Sequence, residues 1–223
     1  MKVDQLKPLE KLPYFTITGF KQTLNLEESS TQQVRENLAR WVKQGHVIRL
    51  KKGVYMTRQF YERHQNQVDF RPAVSAIITP QSYVSSEYML QRARIMTEVT
   101  YPITAVTIKN TNQVDNALGT FSYRHIKSTL YTGFSQVTFL GAIFNQATVA
   151  KALFDYFYFR PLPRALRTQQ INLAEELRLN LDELSLEVRD EFQAYIELSA
   201  SPKMTFIHEN IQRTLWQPSS KPS

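Results

Sequence analysis

Residues 30–56 constrain the fold more than any other part of this chain. Ser30 followed three positions later by Gln33 is a capping-box pattern: the hydroxyl accepts from an unbonded backbone N–H and the Gln reaches back to the cap. Val34, Leu38, Trp41 and Val42 then recur at the spacing of one helical face, and Gly45 stands where a left-handed residue closes a helix. The pattern predicts an amphipathic helix over 31–44. Two β-rich runs follow, His46-Val47-Ile48-Arg49-Leu50 and Val54-Tyr55-Met56, about Lys51-Lys52-Gly53. They predict a hairpin with two lysines at its tip. A short helix and turn over 9–19 and a second short helix over 20–24 are expected before them, punctuated by Pro13 and Gly19. This order of elements is that of a winged helix-turn-helix, with 31–44 as recognition helix and 47–56 as wing.

Charge falls on the same segment. Of the formal net charge of +7, residues 1–60 hold eleven Lys and Arg against five acids, whereas residues 61–223 hold sixteen against fifteen. A polyanion would therefore meet the N-terminal module, not the neutral remainder. At 100° per residue the helix face opposite Val34 and Leu38 carries Gln32, Gln33, Glu36, Arg40 and Lys43, flanked by Arg35 and Asn37. Gln and Asn can bond adenine edges, Arg guanine, and the remaining cations phosphate. A merely solvated face would carry similar residues, and lysines at a hairpin tip also protect a sheet edge from aggregation. Helix, wing and local charge together favour double-stranded DNA. The candidate contacts are Thr31, Gln32, Gln33, Arg35, Glu36, Arg40 and Lys43 on the helix and Arg49, Lys51 and Lys52 on the wing.

Several classes find no support in the residues. The chain has no cysteine, hence no disulfide and no Cys-ligated metal. Residues 1–8 lack the apolar run of a secretory signal, and no stretch approaches the ~20 apolar residues of a membrane span. A cytoplasmic protein without membrane contact is the expectation. No lysine has an acidic residue two positions before it, as the commonest restriction-type nuclease core requires, and no glycine begins a phosphate-binding loop. His208-Glu209 would start a zinc-peptidase helix only with a second histidine where Gln212 stands. Neither catalytic residues, metal nor cofactor is assigned, and the chain is not expected to be an enzyme.

Beyond residue 60 the expectation is a linker at 61–70, an α+β domain over 71–216 and a disordered Pro/Ser-rich tail at 217–223. Residues 72–96 read as two helical pieces broken at Thr79-Pro80, with Tyr83, Tyr88, Met89 and Leu90 buried. Strands are expected at 103–108, 119–126 and 137–144, and helices at 147–159, 181–198 and 203–216. Tyr83, Tyr123 and Leu153 read as core. Lys151 and Asp155, at i and i+4, read as a helix-surface pair rather than a catalytic couple. Arg124 and His125 on a strand point to opposite faces, so at most one serves a given site. The acids Asp182, Glu183, Glu187, Asp190 and Glu191 form either a solvated face or a protein-binding surface.

The run from Val34-Arg35 through Trp41-Val42-Lys43-Gln44-Gly45 to Arg49-Leu50-Lys51-Lys52-Gly53-Val54-Tyr55 resembles the N-terminal winged helix of AbiEi-type antitoxins. These are the regulator half of bacterial abortive-infection (type IV) toxin-antitoxin pairs. Pro80-Gln81-Ser82-Tyr83-Val84-Ser85, Phe121-Ser122-Tyr123-Arg124-His125-Ile126 and Ala147-Thr148-Val149-Ala150-Lys151-Ala152-Leu153-Phe154-Asp155 are similar to later segments of that family. Together they span most of residues 5–160 in the family's order, with Ala150 where relatives commonly carry Glu. The resemblance implies a repressor that binds inverted repeats in its own promoter, as monomers or a homodimer. It also implies a second domain that counters a nucleotidyltransferase-type toxin without a stable complex. A protein-binding adaptor tethered to DNA, or a DNA-targeted enzyme with an unrecognised active site, are the alternatives.

Overall fold

In the computed structural model, which describes residues 2–97, 102–161 and 171–216, the chain is α+β and divides into two compact units. The tail expected at 217–223 lies outside the described residues. The first unit comprises Met1–Pro80, Gln113–Phe121 and Gln136–Phe144. A 3-10 segment, Val3–Leu9, leads into β1 (Phe15–Thr16), α1 (Ile17–Thr23) and α2 (Thr31–Lys43). A hairpin of β2 (Val47–Lys51) and β3 (Val54–Thr57) follows, then α3 (Arg58–His64) and α4 (Phe70–Ile78).

Local chemistry sets these boundaries. Thr16, Ser30 and Thr57 each cap the helix after them: their hydroxyls accept from Gly19 N at 3.0 Å, Gln32 N at 3.2 Å and Phe60 N at 3.2 Å. At the far end of α2, Gly45 at φ +82 lets its own N–H bond Val42 O at 3.1 Å and His46 N–H bond Trp41 O at 2.9 Å. That double closure needs a left-handed residue, which glycine adopts without a Cβ clash. β1, β3 and β2 form an antiparallel sheet in that order, with Arg49 opposite Tyr55 and Lys51 opposite Val54. The register shift between these pairs leaves Leu50 as a bulge.

The core of this unit gathers Leu9, Phe15, Phe20, Val34, Leu38, Trp41, Val47 and Tyr55. Phe20 meets Trp41 edge-on at 6.0 Å and Phe15 stacks on Tyr55 at 5.8 Å. Residues 61–70 are not a linker. Phe60 and Phe70 are buried, and the rings Phe60–His64, Tyr61–Phe70 and Phe70–Phe139 lie 4.4, 5.9 and 6.3 Å apart. Removing those aromatics from water holds α3 and α4 in the first unit, so its boundary falls at Pro80 and not near residue 60.

The second unit comprises Gln81–Asn112, Ser122–Ser135 and Asn145–Ser223. Its elements begin with β4 (Ser82–Val84), α5 (Ser86–Arg92) and β5 (Ile103–Thr107). The hairpins of β6 (Asn112–Asn116) with β7 (Gly119–His125) and of β8 (Phe134–Phe139) with β9 (Ala142–Ala147) follow in the chain, each with residues assigned to both units. The sheet runs β6-β7-β5-β4-β9-β8, β4 lying antiparallel to β5 and parallel to β9. Then come α6 (Val149–Phe159), α7 (Leu173–Glu176), α8 (Leu186–Ser199) and α9 (Pro202–Ile211), which ends in a π-helical turn, Gln212–Trp216. α6 is central: α5 and α8 pack on it, and the small, fully buried Ala150 and Ala152 permit close approach.

Several expected elements after residue 78 differ. The break after Pro80 holds a strand, β4, because Ser82-Tyr83-Val84 pairs on both sides of its backbone. The single strand expected at 137–144 is a hairpin turning at Leu140 (φ +47) and Gly141 (φ +84). α8 starts at Leu186, where the Ser185 hydroxyl accepts from Val188 N, instead of at 181. Among the described residues no helix is long and apolar enough to cross a membrane.

Candidate nucleic-acid interface

Helix α2 buries Val34, Leu38 and Trp41, and the opposite face stays in solvent. Thr31, Gln32, Gln33, Arg35, Glu36, Arg40 and Lys43 are all exposed, as are Arg49 and Lys52 beyond the helix. Polar contacts along the face order it before any ligand arrives. Gln32 Nε2 donates to Glu36 Oε1 at 2.9 Å, Asn37 Nδ2 donates to Gln33 O at 2.8 Å, and the Arg40 guanidinium donates to Asn37 Oδ1. These residues form a ladder of adenine-, cytosine- and guanine-compatible groups on one side of the helix.

Lys51 departs from expectation. It is half-buried, and its Nζ donates to the carbonyl of Ile78 at 2.7 Å. Ile78 is the last residue of α4, where carbonyls lack intrahelical partners and the helix dipole is negative, so a cation there is held by both. Lys51 therefore caps α4, and the solvent-exposed cations of the wing are Arg49 and Lys52. Asn116 Nδ2 donates to the carbonyl of the bulged Leu50 at 3.0 Å, which anchors the same strand.

A groove of about 440 Å³ runs along this surface, lined by Thr18, Lys21 and Gln22 of α1, Thr31 and Arg35 of α2 and Gly53 of the wing turn. It brings the first turns of α2 beside the wing turn. Lys21 and Gln22 lie outside the contacts that the sequence marks. α1 is only seven residues long, too short for its periodicity to assign a face. Their polar character beside the helix's own signal was the clue available.

In the second unit Tyr83, Tyr123 and Leu153 are buried as core, while Tyr88 is only half-buried. Lys151 and Asp155 are not a surface pair: both side chains are 0% exposed and Nζ meets Oδ1 at 2.6 Å. The i, i+4 spacing does bring the two together, but on an inward face, because α6 is apolar on nearly its whole circumference. Asp155 also accepts from Ser85 Oγ at 2.7 Å, and the Lys151 ammonium lies 4.6 Å from the centre of the Phe154 ring. Burial pushes the Asp155 carboxyl up and the Lys151 ammonium down, each against the opposing pull of its partner. Burial and the neighbouring Asp155 carboxylate also push the Tyr83 hydroxyl above its ordinary range.

The acidic stretch divides. Asp182, Glu183, Glu187 and Asp190 are exposed, whereas half-buried Glu191 accepts from Thr148 Oγ1 and Tyr195 OH, both at 2.7 Å. Arg124 and His125 are both exposed, with His125 Nδ1 3.1 Å from Lys109 O. Among the described residues no three His, Cys, Asp or Glu side chains gather as a metal site. No protein-family model matches the chain, and no curated protein matches it.

Proposed function

We propose that the first unit is a winged helix that binds double-stranded DNA and that the protein is a transcriptional regulator. The observation that carries this reading is the groove that brings Lys21, Thr31, Arg35 and the wing turn together beside the exposed face of α2. Arg40, Lys43, Arg49 and Lys52 add exposed cations around it. On this reading α1 and α2 are the paired helices and α2 lies in the major groove. Gln32, Gln33, Glu36 and Arg40 read base edges, while Arg35, Lys43, Arg49 and Lys52 hold phosphate.

A salt titration of duplex binding tests it. Binding should weaken steeply with salt, and Lys52→Ala should weaken all duplexes alike while lowering the log-log slope by about one. Lys51→Ala should leave that slope almost unchanged and lower thermal stability instead, because its ammonium is spent on α4. An affinity indifferent to salt would remove the proposal.

The finer reading is an autorepressor and antitoxin of a type IV pair, and it rests on the resemblance of four segments to AbiEi-type antitoxins. Its test is co-expression with a nucleotidyltransferase toxin encoded beside the gene. Rescue of growth together with retarded migration of the promoter's inverted repeat supports it, and absence of both sinks it.

A further inference from the structure

The second unit contains a cavity of about 560 Å³, within the ordinary size of small-molecule sites. Two guanidiniums from different elements line it, Arg124 of β7 and Arg160 just after α6, together with Ser86, Ser122, the Phe159 ring and one carboxylate, Glu87. We propose that this cavity binds a nucleoside phosphate. Two guanidiniums and two serine hydroxyls lining one cavity suit a phosphate group, whose oxygens accept forked N–H donors. Half-buried Phe159 offers a face on which a base can stack, and Glu87 can accept from ribose hydroxyls.

The cavity is built by the buried groups for which DNA binding has no use. Ser86 has φ +52, a left-handed conformation that is strained for a residue with a side chain and persists only where the surroundings enforce it. Its neighbour Ser85 is fixed at three points. Ser85 N donates to Thr104 O at 3.1 Å, Ser85 O accepts from Thr104 Oγ1 at 2.7 Å, and Ser85 Oγ donates to Asp155 Oδ2 at 2.7 Å. Asp155 is held in turn by Lys151 at 2.6 Å. The buried ion pair thus positions the turn that presents Ser86 to the cavity.

The second arginine is held as firmly. Arg160 Nη1 donates to Tyr156 OH at 2.6 Å with the guanidinium 5.0 Å from that ring's centre. Lys203 Nζ donates to the carbonyls of Tyr158 at 2.6 Å and Arg160 at 3.1 Å, closing the end of α6 on which Arg160 sits. A strained serine and an ordered arginine on one cavity are pre-organised before a ligand arrives, which lowers the ordering cost of binding.

The test is isothermal titration of the full chain at low salt with AMP, GMP, ribose 5-phosphate and inorganic phosphate, repeated with Arg124→Gln, Arg160→Gln and Ser86→Gly. Saturable binding of one nucleotide per chain is expected, at least tenfold tighter than inorganic phosphate or ribose 5-phosphate. Each arginine variant should weaken it at least tenfold. Ser86→Gly, which relieves the backbone strain and so keeps the fold, should weaken it severalfold, with circular dichroism confirming that every variant is folded. Three results would overturn the proposal: no saturable binding of either nucleotide, equal binding of all four phosphates, or nucleotide binding unchanged in both arginine variants. Nucleotide displaced stoichiometrically by duplex, with both arginine variants losing duplex affinity, would assign the cavity to DNA phosphate and overturn it as well.

Discussion

Lys151 and Asp155 show how much a single turn of helix can conceal. Their i, i+4 spacing is legible, but which face they occupy depends on α5 and α8 packing over α6, and that packing is tertiary. At neutral pH the folded and unfolded chains bind the same number of protons at this pair, wherever the shared proton sits, so the pair adds no pH dependence of its own. Single substitutions break the balance in opposite directions. In Lys151→Met the Asp155 carboxyl keeps the burial that raises it and loses the partner that lowers it, so it holds its proton to higher pH in the fold than in the unfolded chain. Stability is then present below the ordinary carboxyl range and falls by up to ~1.4 kcal/mol per pH unit as pH rises toward the folded value. In Asp155→Asn the Lys151 ammonium keeps the burial that lowers it and loses the partner that raises it, so it gives up its proton at lower pH in the fold than when unfolded, and stability should rise with pH toward the ordinary lysine range. Urea midpoints at pH 5 and pH 8 measure both, and slopes of the same sign in the two variants would refute this account.

Elements with a local cause are the ones the sequence makes plain. α2 carries its own cap, its own apolar stripe and its own terminating glycine, and it forms within one residue of expectation, at Thr31–Lys43. Short or polar elements do not announce themselves in this way. β4 is three residues long and exists because β5 and β9 flank it, while β6, Asn-Gln-Val-Asp-Asn, has no strand composition and is held by pairing with β7. The candidate site was legible to the same degree: the helix face could be read from periodicity, but the inward turn of Lys51 required α4 to be in place. Because the ends of α2 are independent devices about 20 Å apart, their removal should be additive. Ser30→Ala and Gly45→Ala should each cost about 1 kcal/mol, the first by losing the cap bond and the second by straining a left-handed position where an added Cβ would meet only the Arg58 guanidinium, at 4.0 Å. Thermal or denaturant midpoints of the two single variants and the double variant check this, and a double variant far from the sum would mean that the ends communicate.

Charge and burial place different boundaries on the molecule. The excess of basic residues ends near residue 60, which invites a cut there, but the wing sheet is buried on both faces. Val47 and Tyr55 belong to the core beside α2, whereas Ile48, Leu50 and Met56 are 4%, 1% and 0% exposed and lie on the other side of the pleat, where α4 packs against β2. Exposing three such side chains costs at most about 5–9 kcal/mol, comparable to the whole stability of a small domain. A fragment of residues 1–60, although it contains every proposed DNA contact, should therefore be largely unfolded, bind an apolar dye and fail to retard duplex. A fragment of residues 1–80 regains α4 and the Lys51 bond to Ile78, so it should recover helical circular dichroism and most of the duplex affinity. It should still bind some dye, since it lacks Phe139, which packs against Phe70 in the first unit. Equal folding of the two fragments would show instead that the module's own core suffices and that α4 contributes little to the surface proposed to meet DNA.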